Sequence, residues 1–227
     1  MKITALVPAY NEAENIADTI LAVTGIDQIN QIVVIDDGST DNTAKIAAEY
    51  PVELITLVEN QGKGQALNAG WRSYSADIYL LIDADLRASA IYAKELLPPI
   101  ISGKYDMSIA NFSSDQAAEN QGKMGFGIAK TTAKWGIKLL TGHRSNSPLS
   151  GQRAVVSEVL QSCGGFAEDF GCEVALTIKA LKQGYRLIEV DLPMTHRATG
   201  RDLAGFKHRG RQFFMVIKQL YKAWRNY

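Results

Sequence analysis

Two acidic clusters stand at the ends of apolar runs in this chain, Val33-Val34-Ile35-Asp36-Asp37 and Leu80-Leu81-Ile82-Asp83-Ala84-Asp85. Asp83 and Asp85, two residues apart, offer hard carboxylate oxygens of the kind that hold Mg²⁺ or Mn²⁺, ions that keep several waters and complete their shell with substrate phosphates. Asp37 is placed to accept hydrogen bonds from ribose hydroxyls or a base N–H. Gly62-Lys63-Gly64 opens a segment of helical spacing. Backbone N–H groups, a helix N-terminus and a lysine there favour an anion together. The combined chemistry is that of a metal and a nucleoside diphosphate. The plainer reading of Gly62-Lys63-Gly64 is a turn, and that of Ser39 and Asp41 a turn with a helix cap.

An apolar run that ends at once in carboxylates reads as a buried parallel strand delivering charge to the sheet's carboxyl edge, where α/β proteins place ligands. Such runs at 3–7, 32–35, 54–58 and 78–82 alternate with helical spacing at 12–23, 43–50 and 64–73. A further helix near 93–101 and a strand near 107–111 continue the alternation. This predicts an α/β fold, a Rossmann-like and mostly parallel sheet flanked by helices. Asn11 with Glu14, and Asp41 or Asn42, are candidate caps for the first two helices. The polar stretch 112–123 reads as a mobile loop, 128–140 as a helix, and 141–150 as turn-rich with His143 a loop residue. Residues 172–183 read as a helix with Gly184 just past its end, and 185–192 as a strand. Neither a P-loop nor a G-x-G-x-x-G follows the first strand.

At 227 residues the chain is long enough for one domain with a sizeable core. Lys plus Arg and Asp plus Glu balance at 24 each, so no overall field recruits nucleic acid. Locally the balance fails: residues 201–227 carry seven Lys or Arg against Asp202 alone. Phe213, Ile217, Leu220 and Trp224 share one helical face of that tail, and Arg211, Lys218, Lys222 and Arg225 another. Two readings stand side by side, a helix packed on the body with a solvated basic face and an interfacial helix on an anionic membrane. Cys163 and Cys172 lack zinc-site spacing and read as two buried or half-buried thiols. Neither a secretory leader nor an apolar stretch of about 20 residues is recognisable, so the expected location is cytoplasmic, or peripheral on the inner face of the membrane.

Four segments, Val7-Pro8-Ala9-Tyr10-Asn11-Glu12, Val34-Ile35-Asp36-Asp37-Gly38-Ser39-Thr40-Asp41, residues 60–70 and Asp83-Ala84-Asp85, resemble in order and spacing the nucleotide-sugar glycosyltransferases of the GT-A fold, family 2 most closely. The resemblance implies one GT-A domain with a nucleotide-sugar half over 1–111, an acceptor-side half over 112–202 and a basic amphipathic terminal helix over 203–227. It implies that Pro8, Tyr10, Glu12 and Asp37 hold the nucleoside, that Lys63 lies near it or its phosphates, and that Asp83 and Asp85 serve ribose and metal. The cofactor would be Mg²⁺ or Mn²⁺ and the donor a UDP-hexose such as UDP-glucose.

The second half resembles the family more loosely. Ser150-Gly151-Gln152-Arg153-Ala154 is similar to the S-G-F-R-A segment of dolichyl- and polyprenyl-phosphate sugar synthases, with Gln152 in place of the aromatic residue. Arg153 is a candidate for a phosphate of donor or acceptor; its plainer reading is a structural salt bridge. Gly165-Phe166 and Glu173 fit the acceptor side, where the family's Glu-Asp pair opens a helix and its Asp acts as general base. Here the pair is Glu173-Val174. An inverting transfer to a hydroxyl needs a base, whereas an ionised acceptor phosphate needs none. A phosphate-bearing or lipid acceptor therefore fits, in keeping with the basic tail. Glu173 or Asp169 as base, or a retaining mechanism as in glucosyl-3-phosphoglycerate synthases, are the alternatives. Those enzymes resemble this chain in Gly62-Lys63-Gly64, in Asp83-Ala84-Asp85-Leu86 and in a late histidine. His196 would complete the metal shell as in several relatives, or be structural. Arg197, Arg201, His208 and Arg209 could cover the diphosphate. The rival functions are a sugar nucleotidyltransferase and a nucleotide-binding protein without catalysis.

Overall fold

The computed structural model describes residues 1–112, 126–168 and 171–194, with Ile217, Leu220 and Arg225. Its centre is a seven-stranded sheet made of β1 (Ile3–Ala9), β2 (Gln31–Asp36), β3 (Glu53–Thr56), β4 (Ile78–Leu81), β5 (Met107–Phe112), β6 (Arg153–Val156) and β7 (Leu187–Leu192). The strand order is β3-β2-β1-β4-β6-β5-β7. β6 alone runs against its neighbours β4 and β5; the other pairings are parallel. The helices are α1 (Ile16–Thr24), α2 (Thr43–Ala47), α3 (Lys63–Ser73), α4 (Leu97–Ile101), α5 (Phe126–Thr141), α6 (Ser157–Cys163) and α7 (Cys172–Lys182), with a 3-10 helix at Arg87–Leu96. The predicted α/β, mostly parallel architecture is the one observed.

Alternation along the strands builds two cores. Ile3, Ala5, Val7, Val34 and Leu80 face α1 and the 3-10 helix, meeting Ile16, Ile20, Val23 and Leu96. Leu6, Val33, Ile35, Tyr79 and Leu81 face the other way, onto Ala66 and Leu67 of α3, Leu160 of α6 and Leu176 of α7. Successive side chains of a strand point to opposite faces, so a sheet covered on both sides needs continuous apolar runs, which is what β1, β2 and β4 carry.

Chain order reverses between β1 and β4, the kind of switch point whose carboxyl edge forms a crevice. Pro8 fits in this central strand because the β4 ladder ends at Leu6↔Leu81, so its missing N–H lies past the last β4 partner.

Some local expectations change. Val58, counted in the third apolar run, lies beyond β3 and is fully exposed. Asn11 does not cap α1. It adopts φ +56 and its side chain accepts from the Thr40 amide at 2.8 Å. At α2 the cap position is Asn42, whose side chain makes no cap bond; Asp41, one residue earlier, accepts from the Thr43 amide at 2.9 Å. β6 has no counterpart in the sequence reading, and it interleaves the second half of the chain with the first. Leu220 packs against the body, so at that position the tail's apolar face is turned inward.

Candidate active site

Three loops meet at the carboxyl edge of β1, β2 and β4. The first two are latched together: the Asn11 amide donates to Ser39 Oγ at 2.9 Å, the Glu12 amide to Thr43 Oγ1 at 2.8 Å, and the Ala13 amide to Asp41 at 3.2 Å. Tyr10, at the tip of the first loop, stays 44% exposed, an aromatic face open to solvent. The Glu12 carboxylate accepts from Asn15 Nδ2 at 2.5 Å, and Asn15 Oδ1 accepts from Arg87 Nε at 2.6 Å. Arg87, two residues past Asp85, holds φ +50, and its amide donates to Thr19 Oγ1 at 2.8 Å. This chain of contacts ties the loop after β1 to the Asp83-Ala84-Asp85 turn. Sequence reading missed Arg87; its only signal was a cation directly after a buried leucine.

Asp37, expected at the nucleoside, shapes the backbone beside it. Its side chain is buried, and its two oxygens accept from the amides of Gln61 and Gly62, each at 2.8 Å. Gly62 sits at φ +92, a conformation that L side chains rarely adopt. Asp37 thus fixes the turn that launches α3 and sets the position of Lys63.

Lys63 is the centre of the site. Its Nζ lies 2.5 Å from Asp83 Oδ1 and 3.0 Å from Glu173 Oε1. Burial by itself would lower the Lys63 pKa, but the Asp83 and Glu173 carboxylates outweigh it and raise it well above 10.5. The lysine joins the predicted donor side, at the end of β4, to the predicted acceptor side, at the start of α7. Gly151 closes over this ion pair: a Cβ there would lie 2.3 Å from Lys63 Nζ and 2.7 Å from Asp83 Oδ2. Its place in the Ser-Gly-Gln-Arg run follows from that contact, which sequence alone did not reveal.

Arg153 requires a correction. It is fully buried, donating Nε–H to the Ser150 carbonyl at 2.8 Å, Nη1–H to Thr177 Oγ1 at 2.7 Å and Nη2–H to the Pro148 carbonyl at 3.3 Å. An enclosed guanidinium bound to neutral oxygens reaches neither a phosphate nor a salt-bridge carboxylate. Its role here is to fasten the 148–150 turn to α7. Asp169 and His196, with Arg197, Arg201, His208 and Arg209, lie outside the described residues.

Asp83 and Asp85 bring hard oxygens to the end of β4, a donor set that suits Mg²⁺ or Mn²⁺. Among the described residues no three His, Cys, Asp or Glu side chains gather closely enough to hold a metal by themselves. The protein would supply one or two carboxylates and a substrate diphosphate the rest.

The two cysteines are free and buried, as expected. A helix N-terminus usually lowers a thiol pKa, but at Cys172 burial, with Glu173 adding to it, pushes the value well above 9.0 against the pull of Lys63. Burial also raises Cys163. Because only the thiolate reacts, native protein at pH 8 is expected to take up no iodoacetamide at either position, and both sites after denaturation. Stoichiometric labelling of the native chain by mass spectrometry would contradict this burial.

Residues 4–154 match the family model for glycosyl transferase family 2. Over 98% of its length the chain is 26% identical to a dolichol-phosphate mannosyltransferase of Pyrococcus furiosus, and over 87% it is 28% identical to the glycosyltransferase AglJ of Haloferax volcanii. It spans 63% and 64% of the lengths of these two relatives. Among solved structures, glucosyl-3-phosphoglycerate synthase of Mycobacterium tuberculosis, in complex with Mn²⁺, uridine diphosphate and phosphoglyceric acid, superposes with a TM-score of 0.81 at 23% identity, covering 98% of this chain and 78% of that one. At that identity the likeness is one of fold, and the fold is GT-A. With a matching family model over more than half the sequence, and its acidic strand ends on the carboxyl edge of a GT-A sheet, the chain belongs to glycosyl transferase family 2.

Proposed function

We propose that this protein is a metal-dependent glycosyltransferase that binds a nucleotide sugar, a UDP-hexose such as UDP-glucose, and transfers the hexose to a phosphate-bearing acceptor. The observation that carries the reading is Lys63, held at the start of α3 between Asp83 and Glu173. A cation at a helix N-terminus, with one acid from a strand end and one from a helix start beside it, is suited to a diphosphate once a divalent ion offsets the two carboxylates. Tyr10 offers a face on which the base can stack, and the Glu12–Asn15–Arg87 contacts keep its loop in place. A divalent ion held by Asp85, with Asp83, would neutralise charge on the leaving diphosphate.

Among the described residues, Glu173 supports this acceptor class. With its side chain 12% exposed and its carboxylate paired to Lys63, Glu173 serves here as a charge partner rather than as a base facing a hydroxyl. A phosphate oxygen, already ionised, forms the bond to the anomeric carbon as the bond to the nucleoside diphosphate breaks, with no proton to remove. The dolichol phosphate in the name of the Pyrococcus relative is an acceptor of this class, and the phosphoglyceric acid bound by the Mycobacterium enzyme also bears a phosphate, though beside a hydroxyl that could attack instead.

Isothermal titration tests the donor: UDP and UDP-glucose are expected to bind with Mn²⁺ present and at least about tenfold more weakly after chelation, with GDP and GDP-mannose silent. Asp85→Ala should remove the metal dependence. Binding by none of the four would sink the donor reading, and equal binding after chelation the metal. Transfer assays with phosphoglyceric acid and a short polyprenyl phosphate then separate the acceptors. Nucleotide binding without any transfer would point to a non-catalytic binder, and pyrophosphate release from a nucleoside triphosphate to a nucleotidyltransferase.

A further inference from the structure

α5 carries a surface that the donor site does not use. Ala133 and Ile137 anchor it on Val174 and Ile178 of α7, and Leu220 seats so closely on Gly136 that a Cβ there would lie 2.3 Å from Leu220 Cδ2. Among the described residues, none covers a third side of the helix in this way. Trp135 and Leu139, one turn apart, are each 70% exposed, and Ile217 beside them is 41% exposed. With Thr131 and Leu220 these side chains line a shallow apolar depression of about 470 Å³.

The neighbouring row of the same helix is Lys130, Lys134 and Lys138, spaced by four residues so that all three share one side. α5 contains no acid, and the whole stretch 120–157 has six Lys or Arg and no Asp or Glu. Burial, together with the charge of Lys134, lowers the Lys130 pKa against the pull of Glu189, so the row repels itself. A tryptophan and a leucine bordered by lysines suit the water–lipid boundary, where the ring meets the headgroup layer and the ammonium groups meet anionic lipid. A second copy of the chain is the poorer occupant. Pairing this face with itself about a two-fold axis would oppose lysine to lysine.

We propose that α5 is the element by which this protein rests on an anionic bilayer, with Trp135, Leu139 and Ile217 entering the interfacial layer and Lys134 and Lys138 meeting the headgroups. The surface involves none of the residues assigned to nucleotide or metal, so it stands whatever the donor.

Co-sedimentation of the full chain with vesicles provides the test. Phosphatidylcholine vesicles containing phosphatidylglycerol are expected to pull down the wild type at low salt, pure phosphatidylcholine vesicles at least about tenfold less. Trp135→Ser with Leu139→Ser should cut partitioning to anionic vesicles about tenfold or more, and Lys134→Gln with Lys138→Gln by about the same, while circular dichroism melts and nucleotide titrations match the wild type. Equal sedimentation of the serine variant, equal binding to neutral vesicles, or failure of the wild type to sediment would each overturn the proposal. So would a dimer in sedimentation velocity that dissociates on Trp135→Ser without vesicle binding. Nucleotide silence with lipid binding intact would instead count against the donor site alone.

Discussion

Replacing Lys63 by methionine is expected to lower sugar transfer on the order of 10²–10³-fold, the usual cost of removing one preorganised charge from the place where charge develops. Methionine keeps the length of the side chain and loses its cation, so the loss reports electrostatics rather than shape. Stability should also fall. Asp83 and Glu173 would face each other across the vacated position with their side chains 25% and 12% exposed. Breaking a fully buried pair costs about 3–5 kcal/mol; discounted for this solvent access, about 1–3 kcal/mol is expected.

The pH dependence has a definite sign. The folded-state pKa of Lys63 is raised above its ordinary 10.5, so its stabilisation is complete below that pH and is lost only as the pH rises through the higher folded value. The stability gap between wild type and Lys63→Met should therefore be flat from neutral pH to about pH 10. Urea denaturation at pH 7, 8 and 9 measures this. A gap that changes across this range, or a variant with wild-type transfer, would refute the assigned role.

Gly64→Ala is expected to destabilise the fold by about 2–4 kcal/mol, against the direction that helix propensity favours. In the first turn of α3, alanine for glycine would ordinarily gain up to about 1 kcal/mol. Here the added methyl would stand 1.9 Å from the Ala167 carbonyl oxygen and 3.0 Å from its carbon, backbone atoms that cannot rotate away. The turn at 165–168 must then lift off α3. That turn is held by Asn68, whose Oδ1 accepts from the Phe166 amide and whose Nδ2 donates to the Phe166 carbonyl, both at 2.9 Å and both buried. Because the same turn leads into α7, Lys63 and Glu173 should separate as well, and nucleotide affinity should fall with stability. An unchanged or raised melting temperature would show that the clash is relieved more cheaply than the packing implies.

The parts of the molecule legible in the sequence are those set by local pattern. β1, β2 and β4 are apolar runs long enough to signal burial on both faces, and each is followed at once by the polar residues of its loop. β6 could not be read, because Ala154-Val155-Val156 is three apolar residues after a motif that looked functional. The strand exists because the gap between β4 and β5 is filled by a segment running the other way, a matter of distant partners rather than of its own residues. Arg153 misled for a related reason. A charged side chain in a family-like motif suggests a ligand, and nothing local shows that Pro148, Ser150 and Thr177 will enclose it.

The sequence by itself determined the α/β class, the placing of Asp37, Lys63, Asp83 and Asp85 near strand and helix ends, and the burial of the two thiols. Periodicity and end signals are properties of a few consecutive residues. Only the tertiary structure decided that Asp37 shapes a turn, that Arg153 is architectural, that Lys63 bridges Asp83 to Glu173 across 90 residues of chain, and that Trp135 and Leu139 face outward. Each of these depends on which surface another element covers, and hydrophobic burial and charge pairing reward contact in space regardless of separation along the chain.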